Sequence, residues 1–289
     1  MSYRLAVGAA AACVVHGRTR EHGSGHHVRW LGVGASDSLW DPAAASAETN
    51  ADITLAVLDA VHASRVVIFD ATGGGGSLTF AATYPQRVQS LIVGNLRQSY
   101  LEVRAISPAG RRDLAEVLHG LRSLELQNPR VAHEPELRTW WARARRLLYS
   151  PEQALEQVEY AARADYEAVL PALRAPTLVL HRRDNRMFDI ETSRETASRI
   201  PNARFVELPG SESDLFLGDT RPVFAAIEQF LAEPDAPLAH DRPLLTVLFT
   251  ASWPRPNSSP RPATTHGASC WTTPTRPRNN WSLPIEAGS

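Results

Sequence analysis

The run Val67-Ile68-Phe69-Asp70-Ala71-Thr72-Gly73-Gly74-Gly75-Gly76 carries an apolar, β-branched strand into a glycine turn, and Ser77 to Tyr84 continues with helical spacing. Strand, tight turn and helix in this order are the setting of a G-x-S-x-G nucleophile elbow. There a hydroxyl sits on a strained backbone and attacks an acyl carbon. Thr72 stands in the nucleophile's place, and Asp70 replaces the first glycine. The backbone N–H of Gly73, the next residue, is the candidate oxyanion donor. Threonine keeps a hydroxyl, but its β-branch crowds the conformation such a turn demands. A bare hydroxyl is also a weak nucleophile, so this chemistry needs an acid and a His behind it, in the chain order nucleophile, acid, His.

The elements that must position these groups follow from periodicity. Ile53, Val57, Leu58 and Val61 share one helix face, with Asn50 or Asp52 as the cap. A strand at 65–69, the elbow, a helix to Tyr84, a stop at Pro85 and a strand at 90–94 make a βαβ unit. Residues 101–170 lack strand signals and read as a helical lid, with helices at 113–124, 135–149 and 151–170. Strands at 177–181 and 203–208 flank a helical pattern at 190–200, and an amphipathic helix at 222–231 closes the unit. A Pro-rich linker at 233–243 leads to a last apolar strand at 244–250. The expected fold class is α/β, a parallel sheet with a helical lid.

Composition sets the outer bounds. The chain has 289 residues, 43% of them hydrophobic, enough for one large α/β domain. A formal net charge of -1 argues against a global pull toward nucleic acid or anionic membrane. All 30 basic residues are Arg, which points to a GC-rich genome. Cys13 and Cys270 form no paired motif, so a reducing cytoplasm is the default expectation. Against it, Arg4 followed by the stretch Leu5 to Val15 loosely imitates a secretory or lipoprotein signal, but that stretch is weakly hydrophobic.

The residues Asp52-Ile53 to Ala60-Val61, Phe69 to Gly74, and Phe80-Ala81-Ala82-Thr83-Tyr84-Pro85-Gln86-Arg87-Val88 form a specific set. Val169 to His181 and Glu207-Leu208-Pro209-Gly210 extend it. Over roughly 32–231 the chain resembles the α/β-hydrolase domains fused to actinobacterial class III nucleotide cyclases and related signalling regulators. The resemblance implies a hydrolase-type sheet, here incomplete at its N-terminal strands, with a lid over a small apolar ligand. It also implies where the acid and the His belong. The acid falls within His181-Arg182-Arg183-Asp184-Asn185-Arg186, at Asn185, and the His shortly after Pro209-Gly210, at Ser213. Thr72, Asn185 and Ser213 are thus a triad with all three members substituted, and Asp184 is the candidate substitute acid. An Asp-to-Asn change at such a site costs about 10⁴-fold in rate. Without a His no base activates the hydroxyl. The expectation is a degenerate, non-catalytic domain; the alternative is an esterase that uses Thr72 with an unrecognised base such as His240.

Asp241 to Thr250 resembles the first strand of a class III cyclase domain, which continues with a metal-binding Asp. Here Ala251-Ser252-Trp253 follows instead. Deleting the A of GAC in ACC-GAC-ATC-GTG-GCC yields codons for Thr-Ala-Ser-Trp, so one lost base accounts for the break. Residues 251–289 then read as out-of-frame translation. Their seven prolines and single acidic residue, Glu286, suit a segment that cannot pack. No cyclase chemistry is expected. Residues 1–30 do not match the family in frame, whereas the next frame across Gly25 to Leu31 permits Val-Ile-Thr-Phe-Asp-Gly.

Other candidates have plainer readings. Gly73 to Gly76 lacks the Gly-Lys-Ser/Thr ending of a phosphate loop. His16-Gly17 imitates an oxyanion-loop signal but lies too close to Gly32 to leave room for the intervening elements. His22, His26 and His27 sit in polar sequence where solvation is commoner than metal binding, so no metal and no cofactor are expected. Arg143, Arg145 and Arg146 beside Trp140-Trp141 fit a solvated helix face better than a nucleic-acid patch.

Overall fold

The computed structural model describes residues 46–232 apart from 61, 72, 74, 97–100 and 149. It also gives the backbone of strands at 4–8, 12–16, 25–28 and 246–250. The expectations for residues 31–45 and for 251–289 lie outside the described residues.

The elements in chain order are β1 (Arg4–Gly8), β2 (Ala12–His16), β3 (Gly25–Val28), α1 (Ala47–Ala60), β4 (Val66–Asp70), α2 (Gly75–Thr83) and β5 (Val88–Gly94). Then come α3 (Leu101–Ala105), α4 (Pro108–His119), α5 (Arg122–Gln127), α6 (Pro135–Leu148) and α7 (Pro151–Arg163). The chain continues with β6 (Thr177–Arg182), α8 (Ile190–Ser198), β7 (Ala203–Leu208), α9 (Arg221–Ala232) and β8 (Thr246–Thr250). The strands β1 and β2 form a separate antiparallel pair. The main sheet runs in the order β3-β8-β4-β5-β6-β7, with every pair parallel.

The expected βαβ unit is present, and its strands read as continuous apolar runs because helices cover both faces. The alternation is visible in the packing. Val66, Ile68, Leu91, Val93 and Val179 join one cluster with Leu58 of α1, Leu78 and Phe80 of α2 and Ala197 of α8. Val67, Phe69, Ile92, Leu178 and Leu180 join the other with Val223, Ile227 and Phe230 of α9. The motif residue Arg87 braces the junction, donating to the carbonyls of Ser64 and Ala63 at 2.8 Å each and pairing with Asp59 at 2.8 Å.

Helix starts moved relative to expectation. Ser46 caps α1, its Oγ accepting from Thr49 N at 3.1 Å, while Asn50 lies within the helix and donates to Tyr160 Oη at 3.4 Å. In the lid, α4 begins at Pro108 with Ser107 as its cap rather than at 113. The Ser150 and Gln153 capping box starts α7, which ends at Arg163 rather than at 170. A proline in the first turn suits both starts, since its missing N–H would be unpaired there anyway. The lid packs through Ala115, Ala154 and Val158, and through a second cluster of Leu124, Ala132 and Trp141 against Leu217. Trp141 is buried and donates its indole N–H to Ser123 at 2.8 Å; Arg145 stacks above its ring, while Arg143 and Arg146 face solvent. Among the described residues no helix is long and apolar enough to cross a membrane.

Candidate functional site

The site assembles at the carboxyl ends of β4, β5 and β6 and in the loop after β7. Thr72 lies outside the described residues, as does His240, but the flanks of Thr72 are fixed. Gly73 has φ 102°, a left-handed conformation that glycine adopts without strain. Gly94, at the end of β5, is a point of close approach. A Cβ there would meet Leu215 Cδ1 at 2.7 Å and the backbone of Ala71 at 3.4 Å, so a larger residue would make Leu215 shift and crowd the start of the glycine turn.

Asn185 and Ser213 meet across the top of the sheet. Ser213 Oγ donates to Asn185 Oδ1 at 3.0 Å. The same Oδ1 accepts the backbone N–H groups of Met187 at 2.9 Å and Phe188 at 3.2 Å, which fixes the orientation of the carboxamide. Its Nδ2 therefore points to Asn95, donating to Asn95 Oδ1 at 3.0 Å. Asn95 Nδ2 in turn donates to the Ser213 carbonyl at 2.8 Å. Sequence reasoning missed Asn95. It is buried, sits at φ 53° just after β5, and ties three strand ends together. A non-glycine residue at positive φ is the structural sign, and in sequence only the Gly94-Asn95 pair ending a strand hints at it. The result is a closed ring of amide and hydroxyl groups with no ionisable member.

Asp184 is directed elsewhere. Its side chain is 55% exposed and its carboxylate faces Arg130 at 3.7 Å. His181 is also committed: Nδ1 meets Ser193 Oγ at 2.9 Å, and Nε2 meets the Phe188 carbonyl at 3.1 Å. The Phe188 carbonyl can only accept, so Nε2 carries a proton toward it, while Ser193 Oγ lies between Nδ1 and the Leu96 carbonyl, 2.5 Å from the latter. The ring is thereby a brace between β6, α8 and the end of β5.

Two features hold the 209–219 loop over this ring. Arg182, fully buried, donates to the carbonyls of Pro209 (2.9 Å), Leu217 (2.9 Å), Asp219 (3.0 Å) and Leu215 (3.4 Å), with Glu212 3.9 Å away. Burial pushes its pKa below the ordinary guanidinium range, against the opposing charges of Glu212 and Asp219. From the lid side, Ser213 N donates to the Gln127 carbonyl at 2.6 Å. Asn128 completes the latch, giving its Nδ2–H to Asp214 Oδ2 at 2.7 Å and accepting Asp214 N–H at 3.2 Å.

Burial pushes the Asp214 carboxyl above its usual range, outweighing the Asn128 hydrogen bond and the Arg145 charge that favour ionisation. A raised folded pKa means that the native state binds the proton more tightly. This contribution is therefore greatest at low pH and is lost as pH rises through the folded value. We expect Asp214→Asn, which preserves an acceptor for Asn128, to raise the melting temperature at pH 7. It should also flatten the decline in stability above the unfolded value of about 3.9. Melting curves between pH 4 and 7 that match the parent's would refute this.

Among the described residues no cluster of His, Cys, Asp or Glu could hold a metal. His22 lies outside them, and His26 and His27 are described only as backbone of β3. A shallow, open depression of about 430 Å³ lies along one face of α6, lined by Pro135, Glu136, Thr139, Trp140 and Arg143, away from the ring just described.

The fold and the convergence of these strand ends define a class. Residues 29–220 match the family model described as the alpha/beta hydrolase fold, and the chain belongs to that family. It is similar to a thermophilic esterase from Thermogutta terrifontis, with 22% identity and a TM-score of 0.56 over 70% of this chain and 76% of that one. A hydrolase from Pseudomonas aeruginosa gives 19% identity and a TM-score of 0.59 over 70% and 77%. An enol-lactonase from Burkholderia xenovorans LB400 gives 20% and 0.55 over 70% and 78%. At these identities the likeness is one of fold. No curated relative matches the sequence.

Proposed function

We propose that this chain is a hydrolase-fold domain that binds a small apolar compound beneath its lid without turning it over. In this reading it descends from the sensory part of a nucleotide cyclase or related cytoplasmic regulator. The observation that carries the non-catalytic reading is the ring itself. The acid and His positions hold a neutral carboxamide and a hydroxyl bonded to each other and to backbone, and neither can take a proton from Thr72. The outward course of Asp184 and the commitment of both His181 nitrogens support it, because neither is poised as a substitute. The cyclase origin rests on the Asp241 to Thr250 run and the motif set upstream of it.

A second reading, ester hydrolysis through Thr72, draws on the family and on its esterase and lactonase neighbours. One experiment separates the two. The purified chain is expected to hydrolyse p-nitrophenyl acetate no faster than a heat-denatured control. Turnover that disappears on Thr72→Ala would establish the second reading instead.

A further inference from the structure

Helix α6 buries one face and exposes the other. On the inner face Trp141 is buried with Leu124 and Ala132, and Leu137 and Leu217 pack against them. On the outer face Glu136, Thr139 and Arg143 are exposed, with Trp140 half-buried between them, at the spacing that puts residues on one side of a helix. Together with Pro135 they line the shallow depression on α6. Its open shape does not suit a small molecule, whose sites are concave and enclose most of the ligand. The Glu136 carboxylate argues against an anionic polymer. What the face does offer is a tryptophan and an arginine side by side, the residue types most enriched where proteins meet.

The charges on this face say what kind of partner it fits. Glu136 and Arg143 stand two helical turns apart, about 10 Å along the axis, which is too far for them to pair with each other. Between two copies the same spacing is complementary. When a second α6 lies antiparallel across the first, with a two-fold axis between Thr139 and Trp140, Glu136 of each copy faces Arg143 of the other, and Thr139 faces Trp140. Both ion pairs then form together, because the axis repeats every contact. A parallel arrangement would set Glu136 against Glu136 and Arg143 against Arg143. The pattern therefore selects the antiparallel register and a second copy of this chain as the partner. One helix pair is a small interface, so the expected dissociation constant is on the order of 10 μM.

We propose that the outer face of α6 is a self-association surface, through which two copies of the chain form a two-fold dimer with antiparallel α6 helices and Trp140 at its centre. Sedimentation velocity on the full chain tests this. At about 100 μM, roughly ten times the expected constant, the parent should sediment mainly as a species of twice the 31.7 kDa chain mass. Glu136→Arg and Arg143→Glu each set like charges against each other on both sides of the axis, so either alone should weaken the dimer by at least about tenfold. Mixed in equal amounts, the two variants should form a heterodimer with the parent's affinity, because each then carries the charges that complement the other. Both positions are exposed, so the melting temperature of each variant should stay close to the parent's. A parent that is monomeric at about 100 μM would overturn the proposal. So would a dimer that survives either reversal, or reversed variants that stay apart when mixed, since either result would place the contact elsewhere or in another register.

Discussion

Replacing Arg182 by Met is expected to lower the melting temperature by roughly 6–20 °C. Arg182 is 1% exposed, and its guanidinium supplies the donors for four carbonyls of the 209–219 loop. Removing it leaves those carbonyls unpaired and leaves Glu212, itself 2% exposed, without its cationic neighbour. Breaking one half of a buried pair costs about 3–5 kcal/mol. At about 2–4 °C per kcal/mol for a domain of this size, the stated shift follows. Removing both charges, as Arg182→Met with Glu212→Leu, should recover part of the loss, because the stranded carboxylate is then gone. Thermal unfolding followed by circular dichroism measures both variants. A shift below about 3 °C for Arg182→Met would show that the loop does not depend on this hub.

Restoring the three substituted positions together, as Thr72→Ser, Asn185→Asp and Ser213→His, is expected to create ester hydrolysis at least about 10³-fold above the parent chain. The 3.0 Å contact between Ser213 and Asn185 keeps the two loops at hydrogen-bonding distance. The single change Asn185→Asp should fail and also destabilise. Its second oxygen would face Asn95 Oδ1 where an N–H now points, and turning the Asn95 amide would forfeit the 2.8 Å bond to the Ser213 carbonyl. Loss of such a buried pairing costs about 1–3 kcal/mol. Only with an imidazole at 213 does the carboxylate gain a donor that offsets this. Loss of the new activity when Thr72→Ala replaces Thr72→Ser alongside the other two changes would confirm the nucleophile. A triple variant that folds but stays inactive would mean that the elbow no longer presents its hydroxyl to this corner.

What the amino-acid sequence determined is whatever depends on neighbours along the chain. The strand Ala203–Leu208 has the bounds expected for it, and β4, β5, β6 and α9 differ from expectation by two residues or fewer. Each of these signals is a local pattern of apolar residues and breakers. Asn185 and Ser213 were singled out by short motifs around His181 and Pro209-Gly210, and the structure brings these two side chains within hydrogen-bonding distance.

The tertiary structure decided what those residues touch. Asn95 reaches Asn185 across 90 positions and Ser213 across 118, and Asn128 reaches Asp214 across 86. No local pattern encodes a partner at such separation, because it is fixed by which strand ends the sheet order brings together. Arg182 reads in sequence as one polar residue among several in a loop, and only the wrapping of 209–219 around it makes it a buried hub. The apolar run before Thr250 was legible as a strand, but its place beside β4 was not. A strand specifies its own extended form, whereas its neighbours are chosen by whichever edge is left open when the rest of the sheet has formed.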